Sequence, residues 1–174
     1  MNTCTIKILE IFFNKSAIFK FGFNFNPTYR RTAGRVTYVS KNLQMVKIKV
    51  PLSSRNKNYR GTMFGGSMFG ATDPIYMIQL ITILGDEYVV WDKAASIKFK
   101  CPGNQTLYAE FNLSDEFIES VKTDMKVYKE KMYKLSVNLK DKTGIVYAEI
   151  ERNIYVASKK YHQNKIKRII KQTN

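Results

Sequence analysis

The feature that most constrains the fold is a long apolar segment from Ser67 to Leu84. Its apolar residues fall on every side of a helical wheel: Met68, Phe69, Ala71, Ile75, Met77, Ile78, Leu80, Ile81, Ile83 and Leu84. A helix that is apolar all round is buried. A membrane span needs about 20 consecutive apolar residues, whereas Asp73, Pro74 and Gln79 interrupt this run. The segment therefore predicts one buried central helix that ends at Gly85 and kinks at Asp73, because Pro74 removes a helical hydrogen bond.

Segments in which apolar and polar residues alternate lie on both sides of this helix. They predict strands at 35–39, 44–52, 88–103, 106–114, 132–140 and 145–158. Ser114 is expected to cap a short helix that begins at Asp115. Because only one helix is apolar enough to be wrapped, a single antiparallel sheet that curls around it would bury both apolar surfaces. The predicted fold class is α+β, the hotdog fold, in which an antiparallel β-sheet wraps around one long central helix.

The positive charge of the chain is concentrated at its ends. The formal net charge is +15, and residues 1–60 hold twelve Lys and Arg against Glu10 alone, while residues 158–174 hold six and no acid. We expect residues 1–29 to form an N-terminal amphipathic helical extension that packs on the domain, 30–157 the hotdog domain, and 158–174 a basic C-terminal tail. Basic ends attract polyanions, which include nucleic acid, anionic lipid and the phosphates of coenzyme A.

The cysteines and the N-terminus indicate the compartment. Cys4 and Cys101 have no metal-ligand spacing, so we expect two free thiols, no metal, and a reducing cytoplasmic location. Lys7 and Glu10 interrupt the apolar residues of the N-terminus, so we expect no signal peptide. An association of the N-terminal helix with a membrane surface stays open as an alternative.

One motif at the start of the central helix carries a family resemblance. The residues Asn58, Gly61, Thr62, Gly65, Gly66 and Asp73 resemble the "N-x-x-G-T-x-H-G-G...D" signature of hotdog acyl-CoA thioesterases of the phenylacetyl-CoA (PaaI) type. The strings "YRGTMFGGSMFGATDPIYMI" and "VVWDKAASIKFKCPG" resemble a family of hotdog proteins known as a domain of unknown function. This second resemblance spans most of residues 30–157.

The resemblance implies hydrolysis of an acyl-CoA thioester at the interface of a homodimer or a dimer of dimers. Asp73 would be the general base or nucleophile, the Gly65 N–H would donate to the oxyanion, and Asn58 would orient the water or the acyl carbonyl. The remaining expected substrate-binding residues are Gly66, Phe64 and Ser67 around the acyl group and Arg60, Lys57 and Arg55 for the phosphates of coenzyme A. No cofactor is expected beyond the coenzyme A of the substrate.

Simple geometry supports a site shared by two chains. Asp73 lies about 12 Å of helix rise beyond Gly65, so one chain does not easily present both groups to one carbon. In hotdog dimers, the helix start of one chain faces the mid-helix acid of its neighbour.

Phe64 departs from the signature, which has histidine at this position. Its apolar ring favours the first alternative, a non-catalytic acyl or acyl-CoA-binding hotdog protein. The basic ends favour the second, a nucleic-acid-binding protein, although we expect no specific nucleic acid. Asp73 has a purely structural alternative as a buried acid in a hydrogen-bond network, and Asp92 is expected to be a strand residue or a dimer contact.

Overall fold

The computed structural model describes residues 14–173. Helices are α1 (Lys15–Phe25), α2 (Pro27–Arg31), α3 (Gly65–Ala71), α4 (Ile75–Leu84), α5 (Asp115–Val127) and α6 (Lys159–Thr173). Strands are β1 (Arg35–Val39), β2 (Met45–Val50), β3 (Tyr88–Phe99), β4 (Leu107–Asn112), β5 (Glu130–Lys140) and β6 (Val146–Ser158).

The six strands form one antiparallel sheet in the order β1-β2-β4-β5-β6-β3. The α+β architecture and the antiparallel sheet that the sequence predicts are therefore confirmed. Alternation also predicts the inner faces correctly, because Val46, Ile48 and Val50 of β2 are buried against the core. On β4 the buried positions are Leu107, Ala109 and Phe111.

The central helix lies against the inner face of the sheet, but it is broken into α3 and α4 at Thr72–Pro74. Tyr76 of α4 packs its ring 4.9 Å from that of Phe111 and donates a hydrogen bond to the Ser136 carbonyl at 2.9 Å. The buried Gln79 amide donates to the Leu43 carbonyl at 2.7 Å, which ties α4 to the turn between β1 and β2. The kink expected from Pro74 is thus a full interruption, which leaves Asp73 outside both helices.

The end of α4 follows the sequence prediction. Gly85 has a φ of 81°, a conformation that glycine adopts without steric cost, and its N–H donates to the Ile81 carbonyl at 3.0 Å. The chain then enters β3, which has β6 on one side and is the last strand of the sheet.

Helix α1 is fastened beside β1. Asn24 and Val36 exchange two hydrogen bonds of 2.9 Å, and Phe19 is buried in the core. The predicted N-terminal helix falls partly on residues 1–13, which lie outside the described residues. The domain boundaries at 29 and 157 stay predictions.

Ser114 caps α5 as the sequence predicts, since its Oγ accepts a hydrogen bond from the Phe117 N–H at 3.2 Å. Ser114→Ala is expected to lower the free energy of unfolding by about 1 kcal/mol, because this N–H then loses its acceptor. Urea unfolding of the variant measures the loss. Thr123→Ala, at an exposed position of the same helix, serves as the control, and equal stability of Ser114→Ala and wild type would contradict the assignment of the cap.

Candidate functional site

A buried arginine on β6 forms ion pairs with two carboxylates at the break of the central helix. Arg152 Nη1 lies 3.1 Å from Asp73 Oδ1 and 3.2 Å from Asp92 Oδ2. Strand β6 supplies the arginine, β3 supplies Asp92, and the α3–α4 junction supplies Asp73. We call these three residues the carboxylate–arginine cluster.

The guanidinium of Arg152 is held on several sides, and its side chain is 4% exposed. Nη2 donates to the Thr72 hydroxyl at 3.2 Å and to the Phe69 carbonyl at 3.3 Å. The group also lies 4.8 Å from the centre of the Phe69 ring, a distance at which a cation is attracted to the ring face. Arg152 therefore binds the end of α3 as well as both carboxylates.

The two carboxylates differ in their access to solvent. The Asp73 side chain is 48% exposed, whereas that of Asp92 is 18% exposed. Burial raises the pKa of Asp92, the Arg152 guanidinium opposes that rise, and the neighbouring Asp73 adds to it. Asp92 Oδ1 is buried and has no hydrogen-bond partner among residues 14–173. Asp73 is thus the carboxylate of the cluster that a solute or water can reach.

The structural alternative for Asp73 that the sequence suggested was a buried acid held by hydroxyls or backbone N–H groups. The structure instead shows a half-exposed acid paired with an arginine. Sequence reasoning missed Arg152, although one signal was present. Arg152 occupies an inward position of β6 between Ile150 and Ile154, both fully buried, and a charge at such a position requires a buried partner.

A second feature is an open cleft of about 390 Å³ near the start of α3. The residues around it are Asn58, Thr62, Met63, Gly65, Met68, Phe99, Lys100, Cys101, Pro102 and Gly103. Of the predicted site residues, the cleft brings together Asn58 and Gly65. Asp73 does not line it, so within one chain the cleft and the carboxylate–arginine cluster are separate.

The two glycines at the start of α3 leave backbone groups accessible. Within residues 14–173, the N–H groups of Gly65 and Gly66 have no acceptor, and Phe64 at the cap position provides none from its side chain. A Cβ added to Gly65 would lie 2.7 Å from the Phe99 ring, so glycine permits the close packing of that ring. The position thus combines free donors with an aromatic wall.

The side chain of Asn58 forms its hydrogen bonds within its own loop. Its Oδ1 accepts from the N–H groups of Arg60 at 2.9 Å and Thr62 at 3.1 Å, and its Nδ2 donates to the Thr62 hydroxyl at 2.9 Å. One amide hydrogen is left for another acceptor.

The other predicted residues lie around this loop. Phe64 is 57% exposed and Ser67 is buried, while Arg55, Lys57 and Arg60 are exposed on the loop before the cleft. The sequence did not single out Asn56, which is buried and fixes the loop. Its carbonyl accepts from the Phe64 N–H at 2.7 Å, and its side chain bonds Ser53 and the Pro51 carbonyl.

Neither a metal centre nor a membrane span is found in the described part of the chain. No three His, Cys, Asp or Glu residues come together there to hold a metal ion. None of the helices in this region combines the length and apolar character that crossing a bilayer requires.

Several solved structures share this fold. A protein from Pseudomonas aeruginosa, named a probable thioesterase of unknown function, is 20% identical with a TM-score of 0.72, covering 82% of this chain and 95% of its own. A protein of unknown function from Chlorobaculum tepidum is 13% identical with a TM-score of 0.63, covering 79% and 90%. A thioesterase from Haemophilus influenzae is 11% identical with a TM-score of 0.53, covering 87% and 90%.

At these identities the likeness establishes the fold, which is the hotdog fold predicted from the sequence. Among curated proteins, no sequence matches this chain. A family model, the domain of unknown function DUF4442, matches residues 15–156. This match spans the central helix, the cleft and the carboxylate–arginine cluster, and the chain is therefore a member of the DUF4442 family of hotdog proteins.

Proposed function

We propose that this protein hydrolyses an acyl-CoA thioester at a site formed by two copies of the chain. The observation that carries the proposal is Asp73, a half-exposed carboxylate held by the buried Arg152 at the break of the central helix. A carboxylate fixed in this way stays oriented without losing access to water. The fold shared with proteins named thioesterases adds support.

In the proposed reaction, Asp73 accepts a proton from a water molecule that attacks the thioester carbonyl. In the alternative form of the reaction, the Asp73 carboxylate attacks the carbonyl carbon directly. The N–H groups of Gly65 and Gly66 donate to the oxygen that becomes negative. The C–S bond then breaks, and the departing thiolate takes the proton that Asp73 had accepted, which releases the thiol and the carboxylic acid. If Asp73 attacks the carbon itself, the thiolate takes a proton from water, and a second water molecule hydrolyses the acyl-aspartate anhydride to restore the carboxylate. Arg152 acts as a positioning residue, because it contacts Asp73 rather than the substrate.

The remaining residues would bind the substrate. The free amide hydrogen of Asn58 would orient the acyl carbonyl, and Phe64, Gly66 and Ser67 would line the acyl group. Lys57, Arg55 and Arg60 are exposed beside the cleft and would meet the phosphates of coenzyme A.

The separation of the cleft and the carboxylate–arginine cluster within one chain supports the proposed pairing of two chains. Helix α3 has seven residues, so at about 1.5 Å per residue Gly65 lies roughly 10 Å from the break of the helix. Among residues 14–173, the edge of β3 opposite β6 pairs with no other strand. This edge would pair with a second copy, because a strand edge of twelve residues presents backbone groups that a second strand can bond. The exposed side chains of Ile81 and Phe99 would be covered in the same dimer.

Mixing two inactive variants tests the shared site. Asp73→Asn removes the acid, and Gly65→Val places a branched side chain against Phe99 and shields the donors. Each variant alone is expected to release thiol from acyl-CoA at least about 10²-fold more slowly than wild type. Refolding the two together should restore part of the wild-type rate, because mixed dimers contain one site with both groups intact.

The controls for this experiment are the two variants refolded separately at the same total concentration. Failure of the mixture to regain any activity, with mixed dimers shown to form, would contradict a site built from two chains. An active wild type whose size corresponds to a monomer would contradict it as well.

Phe64 favours a second candidate, an acyl-CoA-binding protein without turnover. Its ring is 57% exposed and stands where the thioesterase signature has histidine. Saturable binding of acyl-CoA with no thiol release, in wild type and in Phe64→His alike, would support this candidate over hydrolysis.

A further inference from the structure

A groove lies between α6 and the outer face of the sheet. It has a volume of about 400 Å³, and its lining includes Met132, Tyr155, Ile166 and Ile169. Tyr155 and Arg152 are three positions apart on β6, so their side chains point to opposite faces of the sheet. The groove is therefore separated from the carboxylate–arginine cluster by the sheet itself.

The apolar side of α6 lines this groove, and its side chains remain partly exposed. Ile166 and Ile169 are 42% and 49% exposed, and Met132 on the opposite wall is 46% exposed. The helix is anchored at its first residue, where the Lys159 N–H donates to the Glu87 carbonyl at 2.9 Å, and near its middle, where Lys165 donates to Glu130 at 2.6 Å. These anchors hold the two apolar walls apart and leave room for an apolar chain.

Two of the charged groups at the groove are already neutralised within the fold. Glu130 accepts hydrogen bonds from Tyr155 at 2.6 Å, from Tyr161 at 3.2 Å and from Lys165. Lys131 pairs with Asp124 at 2.7 Å. Both carboxylates, Glu130 and Asp124, therefore have a cationic partner. Neither adds an unpaired negative charge that would repel a bound anion.

Lys93 and His162 are the polar groups of the groove whose bonding capacity is unused. The Lys93 ammonium lies 5.1 Å from the Tyr155 ring centre, a cation–π distance, but it forms no ion pair within residues 14–173. Nδ1 of His162 is buried and has no hydrogen-bond partner in the same part of the chain. The groove thus offers a cation that has no ion-pair partner in the described part of the chain, together with the imidazole ring of His162, beside an apolar channel.

We propose that this groove binds a single-chain aliphatic carboxylate such as a fatty acid. The carboxylate is held by the Lys93 ammonium and by an imidazole N–H of His162, and the alkyl chain lies along Met132, Ile166 and Ile169. The charge is complementary, and the volume lies near the lower end of the roughly 300–1,000 Å³ of small-molecule pockets. A bare inorganic anion would leave the apolar walls in water, and a folded partner would not fit this volume.

Calorimetric titration of the full chain with laurate, below its micelle concentration, tests the proposal. Wild type should bind laurate saturably and dodecanol at least about tenfold more weakly, because the alcohol lacks the charge. Lys93→Gln should raise the Kd for laurate by about tenfold, which corresponds to the loss of one charged contact. Ile166→Glu should do the same or more, because it places a second anion in the channel.

The chain offers a matched control for each variant. Lys98→Gln removes a charge from the same strand, and Ile170→Glu adds one to the same helix at an exposed position, yet neither residue lines the groove. Both controls should bind laurate as wild type does. Thermal unfolding of all four variants checks that the fold is retained.

Three outcomes would overturn the proposal. The first is the absence of saturable laurate binding, and the second is equal binding by wild type and all variants, which would place the acid elsewhere. The third is binding only to anionic vesicles and not to monomeric laurate, which would identify a membrane surface instead. The proposal is independent of thioester hydrolysis, since Lys93→Gln should leave thiol release unchanged.

Discussion

Replacing Arg152 with methionine is expected to lower the free energy of unfolding by about 3–5 kcal/mol, the usual cost of removing one partner from a buried ion pair. Arg152 is 4% exposed and compensates Asp92, which is itself largely buried. Methionine fills much of the space but offers no donor to Asp92, Thr72 or the Phe69 carbonyl. Urea unfolding, monitored by circular dichroism, measures the loss.

The pH dependence of this loss distinguishes an uncompensated charge from lost packing. Burial already raises the pKa of Asp92 and Arg152 opposes the rise, so the variant should have an Asp92 pKa that is higher still. A carboxyl group whose pKa is raised in the folded state stabilises the fold at low pH. This contribution to the free energy of unfolding is lost as the pH rises through the raised pKa. The cost of Arg152→Met should therefore shrink as the pH is lowered from neutral through the raised pKa of Asp92.

Lys134→Met is the matched control, because Lys134 pairs with Glu151 at the surface of the neighbouring strand. This exposed pair should contribute less than about 1 kcal/mol. A loss for Arg152→Met as small as that of Lys134→Met, or one that does not change with pH, would contradict the role assigned to Arg152.

Asp73→Asn is expected to reduce thiol release from acyl-CoA by about 10²–10⁴-fold, the usual contribution of a general base. The amide keeps the shape of the side chain but accepts a proton far less readily. Folding should survive, because Arg152 retains Asp92, the Thr72 hydroxyl and the Phe69 carbonyl as partners. The measurement is the rate of thiol release from a panel of acyl-CoAs, with unfolding and dimer formation followed for each protein.

Asp86→Asn, at an exposed position just after α4, controls for the loss of one carboxylate and should keep the wild-type rate. Turnover that is unchanged in a folded, dimeric Asp73→Asn variant would remove Asp73 from the mechanism. If wild type itself releases no thiol but binds acyl-CoA saturably, the acyl-binding alternative favoured by Phe64 replaces hydrolysis.

Local patterns were sufficient to predict most of the secondary structure. Strand β1 coincides with the predicted range 35–39, and α5 begins at Asp115 after the Ser114 cap. Each of these features depends on residues a few positions apart, such as an alternation of apolar side chains or one cap. The same locality explains why Pro74 signalled a disturbance at Asp73, although it did not predict a full break between α3 and α4.

The carboxylate–arginine cluster could not be predicted from the sequence, because its residues come together only in the folded chain. Asp73, Asp92 and Arg152 come from three different elements, and the pairing of β3 with β6 places Asp92 opposite Ile154, two residues along β6 from Arg152. Sequence reasoning identified Asp73 through the family resemblance, but it interpreted Asp92 as a strand residue or a dimer contact and did not identify Arg152. No pattern within a short window specifies which carboxylates a buried arginine will meet.

The antiparallel sheet, the apolar central segment and the basic ends were all predictable from the sequence, because periodicity, capping and charge are local properties of the chain. That Asp73 is a half-exposed acid paired with Arg152, and that α6 leaves an open groove beside Lys93 and His162, became evident only from the packing of the folded chain. Such sites form where side chains remote in sequence share one volume, and their charges and burial depend on that packing.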